Sequence, residues 1–151
     1  MQIQIDDPRR GDVLALLEEH LADMYATSPP ESVHALDPDT LAAPDITFWS
    51  VRERDELLGC AALKQHTSTH VELKSMRTAT AARRRGVAAA LLDHVLTHAR
   101  SCGHQRISLE TGAEDYFAPA RALYATRGFQ VCDPFEDYVL DPHSVFMTLA
   151  L

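Results

Sequence analysis

Apolar and polar positions alternate with two different periods along this chain. Gln2 to Asp6 has period two through Ile3 and Ile5, as a short strand does. Between Asp12 and Tyr25 the period becomes helical: Val13, Leu14, Leu17, Leu21 and Met24 share one face, and Glu18, Glu19 and Asp23 take the other. Asp7-Pro8 ahead of it supplies a capping side chain and a proline suited to a helix start. Ala26 to Asp45 then loses both periods. Prolines at 29, 30, 38 and 44 forbid a long helix there and predict a structured loop with short helical turns.

Ile46 to Arg54 and Leu57 to Gln65 read as strands of a hairpin, and Thr67-Ser68-Thr69 makes the next turn. Val71 to Thr78 continues the meander, with Val71, Leu73 and Ser75 expected on one face and Glu72, Lys74 and Met76 on the other. From Val87, apolar residues spaced by four and three alanines in a row predict a helix that ends near Cys102-Gly103. Arg106 to Thr111 reads as a strand, Ala118 to Arg127 as a helix stopped by Gly128, and Phe129 to Cys132 and Ser144 to Leu149 as closing strands. The order is βαβββαβαββ, that of an α/β chain.

A length of 151 residues suits one domain with its own core, and 46% hydrophobic with 24% charged residues is ordinary for a globular protein. No apolar run approaches the roughly 20 residues of a membrane span, and the first residues lack a signal-like core, so a cytoplasmic location is expected. A net charge of −8 argues against nucleic acid as a partner and favours cationic acceptors. Of the three cysteines, Cys60 and Cys102 read as small buried hydrophobes, and no disulfide framework is expected. The eight histidines are scattered. His94 and His98 share a helix face, yet no acidic residue completes a zinc pattern, and no metal is expected.

Within this acidic chain Arg83, Arg84 and Arg85 form a basic island between a strand and a helix. Gly86 follows them, then Val87, Ala88 and Ala89 open the helix. Backbone N–H groups at a helix start have no intrahelical partner, and the helix dipole adds positive charge, so the stretch fits an anion. An ordinary exposed basic turn is the alternative. One glycine is too few for a dinucleotide fingerprint, and no Gly-Lys-Ser/Thr follows for a Walker-type site.

Arg83-Arg84-Arg85-Gly86-Val87-Ala88 resembles the signature of the GNAT superfamily of acetyl-CoA-dependent N-acetyltransferases: Arg or Gln, two variable residues, Gly, one variable residue, then Gly or Ala. Ala122-Leu123-Tyr124-Ala-Thr-Arg-Gly128-Phe129 resembles the second signature of that superfamily. The resemblance spans roughly Ile3 to Leu149 and is strongest from Glu72 to Phe129. It implies a twisted mixed sheet flanked by helices, the GNAT-like acyl-CoA N-acyltransferase fold. It also implies a pyrophosphate site at Arg84 to Ala89 and backbone pairing of pantetheine along Met76, Arg77 and Thr78. Thr80 stands where the family often has proline, and Phe117 where it often has an asparagine that contacts CoA.

The resemblance further makes Glu72 the candidate base, with pairing to Lys74 as its alternative role. It makes Tyr124 the group beside the CoA sulfur, with core packing as the alternative. Glu31, His34 and Asp37 form a polar cluster suited to an acceptor, or to capping local turns. Glu110, Glu114 and Asp115 offer a second acidic contact. The expected activity is acetyl transfer from acetyl-CoA to a primary amine of a small molecule or amino acid. A protein lysine or N-terminus is the rival acceptor, and a non-catalytic CoA-binding sensor is the rival class. A homodimer is left open.

Overall fold

In the computed structural model, which describes residues 1–151, seven strands form one sheet. The strands are β1 (Gln2–Ile5), β2 (Ile46–Glu53), β3 (Glu56–Gln65), β4 (His70–Thr78), β5 (Arg106–Gly112), β6 (Gln130–Cys132) and β7 (Ser144–Ala150). Their spatial order is β1-β2-β3-β4-β5-β7-β6, and only β4 and β5 are parallel. Parallel neighbours need a crossover, which helix α3 (Val87–Ser101) provides; the antiparallel pairs β2–β3 and β3–β4 need only tight turns. Arg54 and Asp55, with φ of 51° and 66°, make the β2–β3 turn in the primed conformation that matches strand twist.

Both faces of the sheet are covered. The larger core packs α3 and α4 (Ala118–Thr126) against Trp49, Val51, Leu63, Val71, Leu73 and Leu109. A smaller core packs α1 (Gly11–Thr27) and the short α2 (Pro38–Leu41) against Phe48, Cys60 and Ala62. The helix stops follow the sequence: Gly103 and Gly128 both take positive φ, at 80° and 94°.

The expected helix start is displaced. Asp7 accepts from the Arg9 amide and caps the turn that ends at Arg10, so α1 begins at Gly11 with no side-chain cap. Cys102 is also corrected, since it is exposed at the end of α3 while Cys60 is buried.

The strand phase of β4 changes at Ser75. Cys60 of β3 pairs with Arg77 and Ala62 with Lys74, so one β3 residue faces two in β4, and Ser75 adopts φ 51°. This β-bulge reverses the alternation. Met76 therefore joins the α3 side with Leu73 rather than the side of Glu72 and Lys74, and Arg77 turns to α1. The thiol of Cys60 donates to the Ser75 carbonyl at 3.4 Å. Beyond Leu73↔Leu109 the β4–β5 ladder stops, and the two strands part around a gap.

Candidate active site

The gap leads at one end to the loop before α3. A single 3-10 turn (Thr80–Ala82) precedes it, Arg84 takes φ 63° and Gly86 takes φ 80°. None of the six amides from Arg84 to Ala89 donates to a protein acceptor, and the N-cap Gly86 carries no side chain to cap the helix. Consecutive free amides at the positive end of a fifteen-residue helix form an anion cradle. A Cβ on Gly86 would touch nothing within 4 Å, so its glycine serves the backbone angle rather than space within the protein.

The arginine side chains are placed unevenly. Arg85 pairs with Glu53 at 2.6 Å, Arg83 lies 3.9 Å from Asp23, and Arg84 is exposed with no ion pair. Val87 is buried in the core, so it contributes only its backbone to the cradle, while Ala88 and Ala89 are half-buried. The Arg77 side chain leaves the gap and binds Glu19 at 2.6 Å and Asp23 at 2.7 Å on α1.

A cavity of about 110 Å³ lies where β4 and β5 separate. Met76, Phe117 and Tyr124 line it together with Glu72, Lys74 and Glu110. Phe117 reaches this place because Gly112 has no Cβ; one there would overlap the phenyl ring. Tyr124 is 7% exposed, and its hydroxyl has no hydrogen-bond partner in the protein. Burial pushes that phenol up to about 12, with Glu110 adding, so it stays protonated at neutral pH.

The two carboxylates of the cavity differ. Glu72 is 2% exposed and held from three sides: His66 Nε2 at 2.8 Å on one oxygen, Lys74 Nζ at 3.1 Å and the Tyr138 hydroxyl at 2.7 Å on the other. Lys74 also donates to the Tyr138 oxygen at 2.8 Å. The pairing with Lys74 expected as an alternative is thus present, inside the cavity. Glu110 has no ion pair, and burial pushes its carboxyl up to about 7, Glu72 and Asp141 adding while Ser144 and Lys74 oppose. His20, on the same wall, is held at about 4 by burial and by Arg77, and is neutral.

Three loops close the far rim. Ser28 and Ser32 come from the segment after α1, Glu114 from the segment after β5, and Asp141 and His143 from the segment between β6 and β7. Ser32 donates to Asp141 at 2.6 Å, His143 lies 2.9 Å from Glu114, and Ser28 donates to Glu114 at 3.4 Å. The His143 amide completes the run by donating to Asp141 at 2.8 Å. His34 stands edge-on to Tyr138, with ring centroids 5.1 Å apart, and lines the cavity.

Of Glu31, His34 and Asp37 only His34 reaches the cavity, and of the second acidic group only Glu110 does. Asp37 is exposed and caps α2, accepting from the Thr40 amide at 2.8 Å, and Glu31 is exposed outside the lining. Asp115 lies in the 3-10 turn before α4 and does not line the cavity either. Lys74 and Tyr138 carry more of the site than the sequence implied. Phase alone places Lys74 beside Glu72, whereas nothing in the irregular segment around Tyr138 signals that it folds back onto β4.

Glu110 offers a test by stability. Its folded pKa is raised, so folding favours the protonated carboxyl; the resulting penalty is absent at low pH and grows as pH rises from about 4.5 to about 7. Glu110→Gln is therefore expected to unfold later than wild type at pH 8, by about 1–3 kcal/mol, with a smaller difference at pH 5. Urea unfolding of both proteins at the two pH values measures it. A difference that does not change with pH would mean an ordinary carboxylate.

Known proteins share this fold. The model of the acetyltransferase (GNAT) family matches residues 13–129. The chain is 52% identical over all of both chains to the uncharacterized N-acetyltransferase YsnE of Bacillus subtilis. It is 38% identical to the IAA acetyltransferase of Azospirillum brasilense, covering 94% of this chain and 92% of that one. Among solved structures, one described as an acyl-CoA N-acyltransferase from Klebsiella pneumoniae superposes with a TM-score of 0.81 at 25% identity, over 99% of this chain and 97% of that one. The chain belongs to the GNAT family and is an acyltransferase that uses acetyl-CoA.

Proposed function

We propose that this enzyme transfers acetyl from acetyl-CoA to the primary amine of a small free molecule by direct attack. The observation that carries the choice of acceptor is the run of hydrogen bonds Ser32–Asp141–His143–Glu114–Ser28, which ties three loops across the acceptor end of the cavity. An extended peptide needs an open groove, and this rim is bridged.

In this reading the amides from Arg84 to Ala89 hold the pyrophosphate, with Arg83, Arg84 and Arg85 adding positive field. The free edge of β4 at Met76, Arg77 and Thr78 takes the pantetheine, and Phe117 gives it an apolar wall. Tyr124 donates to the sulfur as the thiolate leaves. One of the two cavity carboxylates, Glu72 or Glu110, receives the proton of the ammonium; Glu72 is the one expected from the sequence. His34 faces the acceptor.

The test is thiol release from acetyl-CoA with a panel of small primary amines, free amino acids, IAA and short peptides bearing an N-terminal or lysine amine. A small amine is expected to exceed every peptide in kcat/KM by at least tenfold. A peptide acetylated as fast as the best small amine would move the acceptor to protein.

A further inference from the structure

We infer that Glu110, rather than Glu72, is the carboxylate that takes the proton from the acceptor, while Glu72 and Lys74 form a neutral pair that holds Tyr138 on the cavity wall. The inference rests on the acetyl-transfer reading above and assigns its proton acceptor.

Glu72 is poorly placed to accept a proton. One of its oxygens is occupied by His66 and the other by Lys74 and Tyr138, at 2.7–3.1 Å. Protonation would leave Lys74, whose side chain is 9% exposed, as an uncompensated charge inside the protein, and breaking a buried pair from one side is strongly unfavourable.

Glu110 has the opposite surroundings. It is the first residue of β5 past Leu109, the last rung shared with β4, so it stands where the gap begins. Glu72 registers with Ser108, so Glu110, two residues on, lies on the same sheet face as Glu72. The charged and titratable groups acting on it are Lys74 and Glu72 from β4, Asp141 and Tyr138 from the segment between β6 and β7, and Tyr124 from α4, while His20 of α1, His34 and His143 line the same cavity. Ser144 of β7 is beside it and opposes the upward shift. The one cation, Lys74, is already matched by Glu72, which leaves Glu110 as the carboxylate free to meet an ammonium. A carboxyl held near 7 is ionised in part at neutral pH and is a stronger base than an ordinary one.

The step balances with these groups. The ammonium gives one proton to the Glu110 carboxylate, and the neutral nitrogen forms a C–N bond to the acetyl carbonyl carbon. The C–S bond breaks, sulfur takes the Tyr124 proton, and the nitrogen sheds its second proton, which restores the phenol. Glu110 then releases its proton to solvent, so one proton leaves per turnover.

The decisive measurement is the pH dependence of kcat/KM with the best amine from the panel. Wild type is expected to rise through a limb near pH 7, separate from the amine's own limb near 10. Glu110→Gln should lose the limb near 7 and about 10²–10⁴ in kcat, with acetyl-CoA affinity within a few-fold. Since Glu72→Gln alone strands Lys74 and risks misfolding, the paired variant Glu72→Gln with Lys74→Met is measured instead; it should keep the limb. A limb that survives in Glu110→Gln and vanishes in the paired variant overturns the inference. A carbon-detected NMR titration of Glu110 decides it without turnover: a carboxyl titrating near 7 supports it, and one titrating near 4.5 overturns it. Absence of thiol release with every amine would count against the proposed function instead.

Discussion

Tyr124→Phe is expected to fold as wild type does, bind acetyl-CoA within a few-fold and lose about 10² or more in kcat. The ring sits in the α3–α4 core beside Phe129, at 5.8 Å between centroids, and phenylalanine keeps that packing. Only the hydroxyl is lost. It has no protein partner, so its removal strands no buried donor or acceptor, and the stability cost should stay below about 1 kcal/mol. What disappears is a proton donor on the cavity wall, held in its protonated form by burial and by Glu110. Its contribution grows as charge develops on sulfur, which is why kcat falls rather than affinity. Steady-state kinetics beside an acetyl-CoA titration separate the two. A variant as fast as wild type would pass the proton to water and leave the acetyl-transfer reading standing.

The sheet was legible where strands keep a two-residue period, as Val71 to Lys74 does. The period failed at Ser75. A bulge is set by how two strands pair, here one β3 residue against two in β4, and no local pattern marks it. That slip decides which side of the sheet each residue takes: Lys74 stays beside Glu72, Met76 crosses to the core, and Arg77 swings to α1. The anion loop was legible for the opposite reason, since a helix start after Arg83-Arg84-Arg85-Gly86 is local chemistry. Glu72 and Glu110 look alike as letters. They differ only through what surrounds them, including Tyr138 from a segment 66 residues beyond Glu72. Asp37 shows the converse, a polar residue near prolines whose local role as a cap exhausts it.

Gly86→Trp is the sharpest probe of the cradle, because a Cβ there meets nothing in the protein, while in the proposed reading the indole competes with the pyrophosphate for the mouth of the loop. A Cβ at Gly86 meets nothing within 4 Å, so the substitution is not expected to clash at its first carbon. The cost to the fold is conformational: φ of 80° is comfortable for glycine and costs another residue about 1–2 kcal/mol. The variant should therefore unfold slightly earlier by heat or urea while keeping its sheet. Binding should suffer far more. Charge-assisted hydrogen bonds from amides are worth about 1.5–3 kcal/mol each, so losing even two of the six weakens affinity by at least 10². At acetyl-CoA one hundredfold above its dissociation constant, wild type gains about 2.7 kcal/mol in apparent stability. A hundredfold weaker variant at the same concentration gains only about 0.4 kcal/mol. Thermal unfolding with and without acetyl-CoA reads both numbers, with NAD as a control that should stabilise neither protein. Equal stabilisation of the two proteins by acetyl-CoA would remove the pyrophosphate from this loop.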